Sequence, residues 1–267
     1  MENVLGDIGS LVAIGLFVVM MMAVEVGRRI GQRRYQTDKE SLTEGLSVAE
    51  GAIFALLGLL IAFTFPGAAT RFEERRHLIT EEANDIGTAW LRLDLLPAAD
   101  QPVVRDLFRR YTDLRIEAYA DIQNDAAVEA RLEAVAVLQA EIWRRAVAGV
   151  RSPDASPGAA QVLLPALNSM FDIVNTRDTA TRNHPPLAIY LLLGVLCAIG
   201  SILFGHSIGA SQNRNWLHRL AFVGIIALSI YVILDLEFPR RGLIRIDGED
   251  AVLMKLRESF DSQNTGV

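Results

Sequence analysis

The residues from which a metal site or a nucleophile could be built are few: four histidines, His77, His184, His206 and His218, and one cysteine, Cys197. No two histidines have the H-x-x-x-H or H-E-x-x-H spacing that turns a pair of imidazoles toward one zinc ion, and Cys197 has no C-x-x-C partner. Neither a G-x-S-x-G turn, a phosphate loop nor a dinucleotide fingerprint is present. The sequence therefore reads as that of a non-enzyme, with no metal and no cofactor. Cys197, inside an apolar run, is expected to be a small packing residue.

The remaining chemistry lies in carboxylates inside or beside apolar runs: Glu25, Glu50, Asp235 and Glu237. A carboxylate in hydrocarbon is costly, so each is a candidate for proton or ion handling. Three also have a local account. Glu25 stands three and four residues before Arg28 and Arg29, a helical ion-pair spacing, and Asp235 and Glu237 precede Arg240 and Arg241. Glu50 opens its apolar run with no cation nearby in sequence. Glu81, Glu82 and Asp85 read as a solvated helix face, and Asp247, Glu249 and Asp250 around Gly248 read as a polar turn, since they match no EF-hand loop.

The elements that hold these residues are mostly apolar helices. Just over half the chain, 51%, is hydrophobic, 22% is charged and the net charge is only -6, so the chain divides between lipid and water and has no basic block for nucleic acid. Four apolar runs are long enough to suggest membrane spans: 8–24, 51–70, 185–210 and, shortest, 220–234. The last needs residues 235–238, local bilayer thinning or a snorkelling Arg219 to reach across. Glu2 and Asp7 stand where a secretory signal would carry cations, so the first span is expected to be retained.

A basic linker, 28–44, joins the first two spans, and a polar turn near 212–215 joins the last two. Between the pairs lies a water-soluble insert. Its first segment repeats Phe72, Ile79, Ile86 and Leu93 every seven residues, with Ala83 and Trp90 alongside, which predicts one straight helix leaving the second span and ending at Pro97. A second helix follows Asp100 and Pro102, with Val104, Leu107, Phe108, Tyr111, Leu114, Ala118 and Ile122 on one face. A third covers about 126–150, with Val128, Leu132, Val135, Ile142 and Trp143 as its stripe, and after a Pro-, Ser- and Gly-rich loop at 151–158 a fourth leads to Pro185-Pro186. The expected fold is an all-α membrane protein: four transmembrane helices with a helical-bundle insert between helices two and three. Its parts are 1–70, the first helix pair; 71–183, the soluble bundle; 184–240, the second pair; and 241–267, the tail. The final stretch is expected to hold a short extended piece at 243–246 and an amphipathic turn.

Arginines flank the spans on both faces in nearly equal number, so the positive-inside rule does not fix sidedness. In the second span the small residues Gly51, Ala52, Ala55, Gly58 and Ala62 alternate with bulky apolar ones, and Ala55, Leu59 and Phe63, four apart, share a face. That face suits either an apolar constriction that gates by dewetting or ordinary close packing through small residues.

At this junction the chain resembles the bestrophins: Phe63 ends the apolar pore-helix motif and stands eight residues before Arg71-Phe72-Glu73-Glu74-Arg75-Arg76. More closely, E-G at 50–51 through A-F-T-F at 62–65, R-F-E-E-R-R at 71–76, E-E-A-N-D-I-G-T-A-W-L-R at 81–92, the stretch 168–177 and D-L-E-F-P-R-R-G-L-I at 235–244 resemble bacterial membrane proteins called bestrophin-like. The resemblance implies a homo-oligomeric, in bestrophins pentameric, ion channel in the bacterial inner (plasma) membrane. Its insert would face the cytoplasm, small ions would be its cargo, and Ala55, Leu59 and Phe63 would be its pore neck. Three departures stand out: Ala55 is small where bestrophins place a bulky residue, the acidic calcium clasp has only an echo at 247–250, and the basic first linker would face outward. A non-conducting membrane scaffold or sensor, whose bundle binds a partner, is the alternative, and a transporter using Glu50 or Asp235 as proton carrier a further one.

Overall fold

A computed structural model of the protein describes residues 8–37, 45–120, 125–210, 216–239 and 242–262, which form eight α-helices and, among these residues, no strand. The helices are α1 Ile8–Thr37, α2 Gly45–Arg92, α3 Gln101–Ala120, α4 Asp125–Val150, α5 Ala159–Arg182, α6 Leu187–Ala210, α7 Trp216–Glu237 and α8 Asp247–Ser262. Glu2, Asp7, Lys39, Ile122 and the turn at 212–215 lie outside the described residues, as do the side chains of Val128, Arg240, Arg241, Asp247 and Glu249.

Helix α2 runs unbroken for 48 residues, about 72 Å at 1.5 Å per residue. Its uncharged stretch 51–70 and the charged stretch that follows keep the same period. Pro66 lies inside it, removing one backbone donor, and the Thr64 hydroxyl just before it donates to the Leu60 carbonyl at 2.8 Å. The helix ends where a 3-10 turn, Leu93–Leu95, leads into Leu96, whose extended backbone is what a following proline requires.

Two helices outrun their apolar cores. Helix α1 continues to Thr37 through residues expected to be linker, because Arg28, Arg29, Gln32, Arg33 and Arg34 are all good helix formers. Helix α7 gains residues at both ends of the 220–234 run, and its 22 residues span about 33 Å, enough for a bilayer core.

One compact unit comprises Met1–Phe72 and His184–Arg245. Its core joins Met20 and Val24 of α1, Leu57 and Ala68 of α2, Leu193 and Cys197 of α6, and Val223, Ile230 and Ile233 of α7. Four helical stretches are long and apolar enough to cross a membrane: Gly9–Arg34, Glu50–Leu95, Ala159–Gly209 and Trp216–Glu237. Leu11, Ile14, Met22, Leu191, Val195, Ile225 and Leu228 point outward from three of them, an apolar surface that water would penalise and a lipid bilayer accepts.

Helix α1 packs most extensively on α6, through glycines. Gly27-x-x-x-Gly31 faces Gly205-x-x-x-Gly209, and a Cβ added at any of the four would stand at 3.0 Å or less from backbone of the opposite helix. Only hydrogen fits at such a crossing, which is how small-x-x-x-small pairs bring helices together in lipid.

The other unit comprises Glu73–Asn183 and Ile246–Val267. Ile79, Ala83, Ile86, Trp90 and Leu93 from the α2 seam are buried with Val104, Phe108 and Tyr111 of α3, Ile142 of α4 and Leu163, Leu167 and Met170 of α5. The expected final turn is a helix of four turns, α8, which closes over Trp90: Phe260 stacks on the indole at 3.9 Å, and Arg109 reaches Asp261 at 3.0 Å. On α4 the interior is filled by Val135, Leu138, Ile142 and Ala146, while Trp143 sits at the rim, edge-on to Phe171.

Candidate functional site

On α2 the residues 51–65 divide into two faces. Phe54 turns inward, edge-on to Phe222 at 5.6 Å and against Gly200, and Leu57 is buried beside it. The opposite side carries Gly51, Ala52, Ala55, Gly58, Leu59, Ala62 and Phe63, all exposed. Leu59 is 51% and Phe63 68% exposed, and no heavy atom approaches within 4 Å of a Cβ added at Gly51 or Gly58. The described chain thus leaves one long apolar, small-residue face of α2 uncovered.

The four carboxylates sit at the two ends of the apolar helices. Glu25 takes bonds from Arg28 at 2.6 and 2.8 Å and from Arg29 at 3.0 Å, the pairing its spacing predicts, and Arg219 of α7 adds a contact at 3.7 Å. Glu50, without a cation in its own sequence neighbourhood, finds α6 instead: Ser207 donates to it and His206 faces it.

Asp235 and Glu237 are both buried. Their sequence neighbours Arg240 and Arg241 lie outside the described residues; the partners seen come from elsewhere. Asp235 Oδ1 and Oδ2 accept the backbone N–H groups of Leu243 and Ile244 at 3.0 and 2.9 Å, folding the chain back over the end of α7. The turn needs glycine at 242, where a Cβ would run into the Asp235 carboxylate. Glu237 is held by Arg71 of α2, whose Nε donates at 2.9 Å, and by His184, whose Nδ1 lies 3.3 Å away. These partners are 166 and 53 residues distant, beyond the reach of any local spacing rule.

Asp235→Ala should remove the acceptor of two partly buried amides and cost about 1–2 kcal/mol. Limited proteolysis of the full chain in detergent should then cut after Phe238 faster than in wild type, and an unchanged cutting rate would count against the clasp.

In the second unit Glu82 corrects the expectation of a solvated face, because it is fully buried. Helix α3 supplies Arg115 and α5 supplies Arg177, both also buried, and each guanidinium donates to a different oxygen of the Glu82 carboxylate. Burial alone would push the carboxyl up, but the two arginines outweigh it and hold Glu82 below the ordinary carboxylate value of 4.5. Asp85, partly buried beside Glu81 and Glu82, is pushed up by desolvation and by those two charges. Among the described residues no group of three His, Cys, Asp or Glu side chains is placed to hold a metal ion.

The blocks that carry the family resemblance are the ones these contacts join: Arg71 to Glu237, and Glu82 to Arg177. No curated protein and no solved structure matches the chain. The bestrophin-like domain matches residues 14–251, from within α1 to the first turn of α8, so this integral membrane protein belongs to the bestrophin-like family.

Proposed function

We propose that the protein is a subunit of a homo-oligomeric ion channel whose neck is lined by Ala55, Leu59 and Phe63 of each copy. The observation that supports this is the uncovered face of α2, apolar and four residues periodic, on a helix whose other side is packed into its own chain. Several such faces around an axis make a constriction that stays dry when narrow and passes small ions when wetted. In this reading residues 71–183 form a water-soluble helical bundle in the cytoplasm, the spans lie in the bacterial inner membrane, and the protein performs no covalent chemistry.

Purified protein in planar bilayers should pass current, and Phe63→Ala, which removes the bulkiest neck side chain, should raise conductance or open probability severalfold. Silence of the wild type across several salts and pH values would overturn the channel.

The small residues on the same face favour a second reading, a non-conducting scaffold or sensor. Gly51, Ala52, Ala55, Gly58 and Ala62 would let two copies of α2 touch with no axial opening. Subunit number separates the two readings: five copies by native mass favour a pore, two favour the closed pair.

A further inference from the structure

The end of the apolar unit where α1 and α6 stop and α2 and α7 begin is rich in arginine. Helix α1 brings Arg28, Arg29, Arg33 and Arg34 to it, and α7 brings Arg219. Glu25 gathers three of these on one carboxylate, Arg28 and Arg29 through hydrogen bonds and Arg219 at 3.7 Å, so that cluster alone carries an excess of positive charge. Glu50 is the other carboxylate at this end among the described residues. The adjoining stretches 38–44 and 211–215 add Asp38, Glu40 and Glu44 against Lys39 and Arg214, and the end stays positive.

The outward arginines continue a lipid-facing surface. Met22, Val26, Ile30 and Arg33 follow one another at spacings of four, four and three, so they share one stripe of α1, and all four are exposed. Three are apolar and the last is cationic. Arg34 is exposed beside the stripe, and Arg29 on its other flank keeps 69% of its side chain exposed even while bonded to Glu25. At the first position of α7 stands Trp216, 63% exposed, a residue type that settles where acyl chains give way to headgroups.

A guanidinium is always charged, and its planar fork of donors matches the oxygens of a phosphate. A cationic cluster at the rim of a bilayer attracts anionic headgroups, while a zwitterionic headgroup brings its own ammonium and cancels most of the pull. We propose that Arg29, Arg33 and Arg34 hold the phosphodiester of an anionic membrane lipid whose acyl chain lies along Met22, Val26 and Ile30. Charge and depth together select this occupant, since a soluble anion would suit the guanidiniums but leave the apolar stripe unused. The site uses no residue of the proposed neck, so it stands or falls apart from the channel.

Native mass spectrometry of the full chain in a neutral detergent reads the binding, with phosphatidylglycerol compared with phosphatidylcholine of the same acyl chains. Wild type should hold phosphatidylglycerol about tenfold more tightly. Arg33→Gln/Arg34→Gln should erase that preference, and Arg34→Gln alone should weaken phosphatidylglycerol binding about fivefold, the share of one arginine near an anionic surface. If the double variant is not recovered folded, the single one decides. Arg144→Gln/Arg145→Gln removes the same charge from the exposed face of α4 and should bind as wild type. Equal retention of the two lipids by wild type overturns the site, as does undiminished phosphatidylglycerol binding in Arg34→Gln or an equal loss in the α4 variant. Displacement of the lipid by inorganic phosphate would overturn it too, because the apolar stripe would then play no part.

Discussion

Replacing Gly205 by leucine is expected to abolish recovery of folded protein. A side chain there has nowhere to go, since even its Cβ would stand 2.9 Å or closer to the backbone of Val24 and Arg28 on α1, and the obstacle is main chain rather than a movable side chain. Ordinary overpacking costs about 1–3 kcal/mol, and prying two helices apart along their whole contact should exceed it. Gly27→Leu should do the same from the other side, where the obstacle is the backbone of Ile202 and His206. Gly224→Leu is the control, because no atom lies within 4 Å of a Cβ added there, and it should behave as wild type. Monodispersity on size exclusion and the apparent melting temperature read the outcome. Equal behaviour of the Gly205 and Gly224 variants would overturn the close α1–α6 crossing.

Glu82→Gln is expected to lower stability by about 3–5 kcal/mol, because it removes the buried negative charge that the Arg115 and Arg177 guanidiniums share. The loss belongs to the broken triad rather than to the site. Replacing all three residues by methionine should restore stability to within about 2 kcal/mol of wild type, since apolar side chains of similar size need no compensation. Acid reads the same interaction. Because Glu82 titrates below its ordinary value of 4.5 in the folded chain, its contribution is complete above that value and fades as pH falls through the folded one. The wild-type melting temperature should therefore drop more steeply on the acid side than that of the triple-methionine variant. Parallel acid limbs would show that Glu82 is not ionised where it lies.

What the sequence made legible were the features written in short-range periodicity. The apolar run 51–70, the seam from Ile79 to Leu93 and Pro97 together specify a helix that stays in phase and then stops, and α2 follows them to within a few residues. Glu25 was legible for the same reason, its partners being one helical turn away. Glu82 was not: nothing local distinguishes it from Glu81, and only the fold brings in Arg115 and Arg177, 33 and 95 residues on. Glu237 likewise owes its partners to topology. The α1–α6 crossing was within reach, since both Gly-x-x-x-Gly spacings stand in the sequence, at 27–31 and 205–209. What the spacing could not say is that these two, rather than the glycines of the second span, meet each other.

That crossing also sets a schedule for making the protein. Helix α1 ends at Thr37 and its glycine counterpart begins at Leu187, so a ribosome adding about 5–20 residues per second needs roughly 8–30 s to reach the start of the second helix after completing the first. Throughout that interval the newborn first helix must wait in lipid or in the insertion machinery with its notch empty, and the whole intervening segment must be produced before the notch can be filled. Assembly of this half of the protein is therefore necessarily late, and a factor that shelters small-residue helix faces during synthesis would have its substrate here.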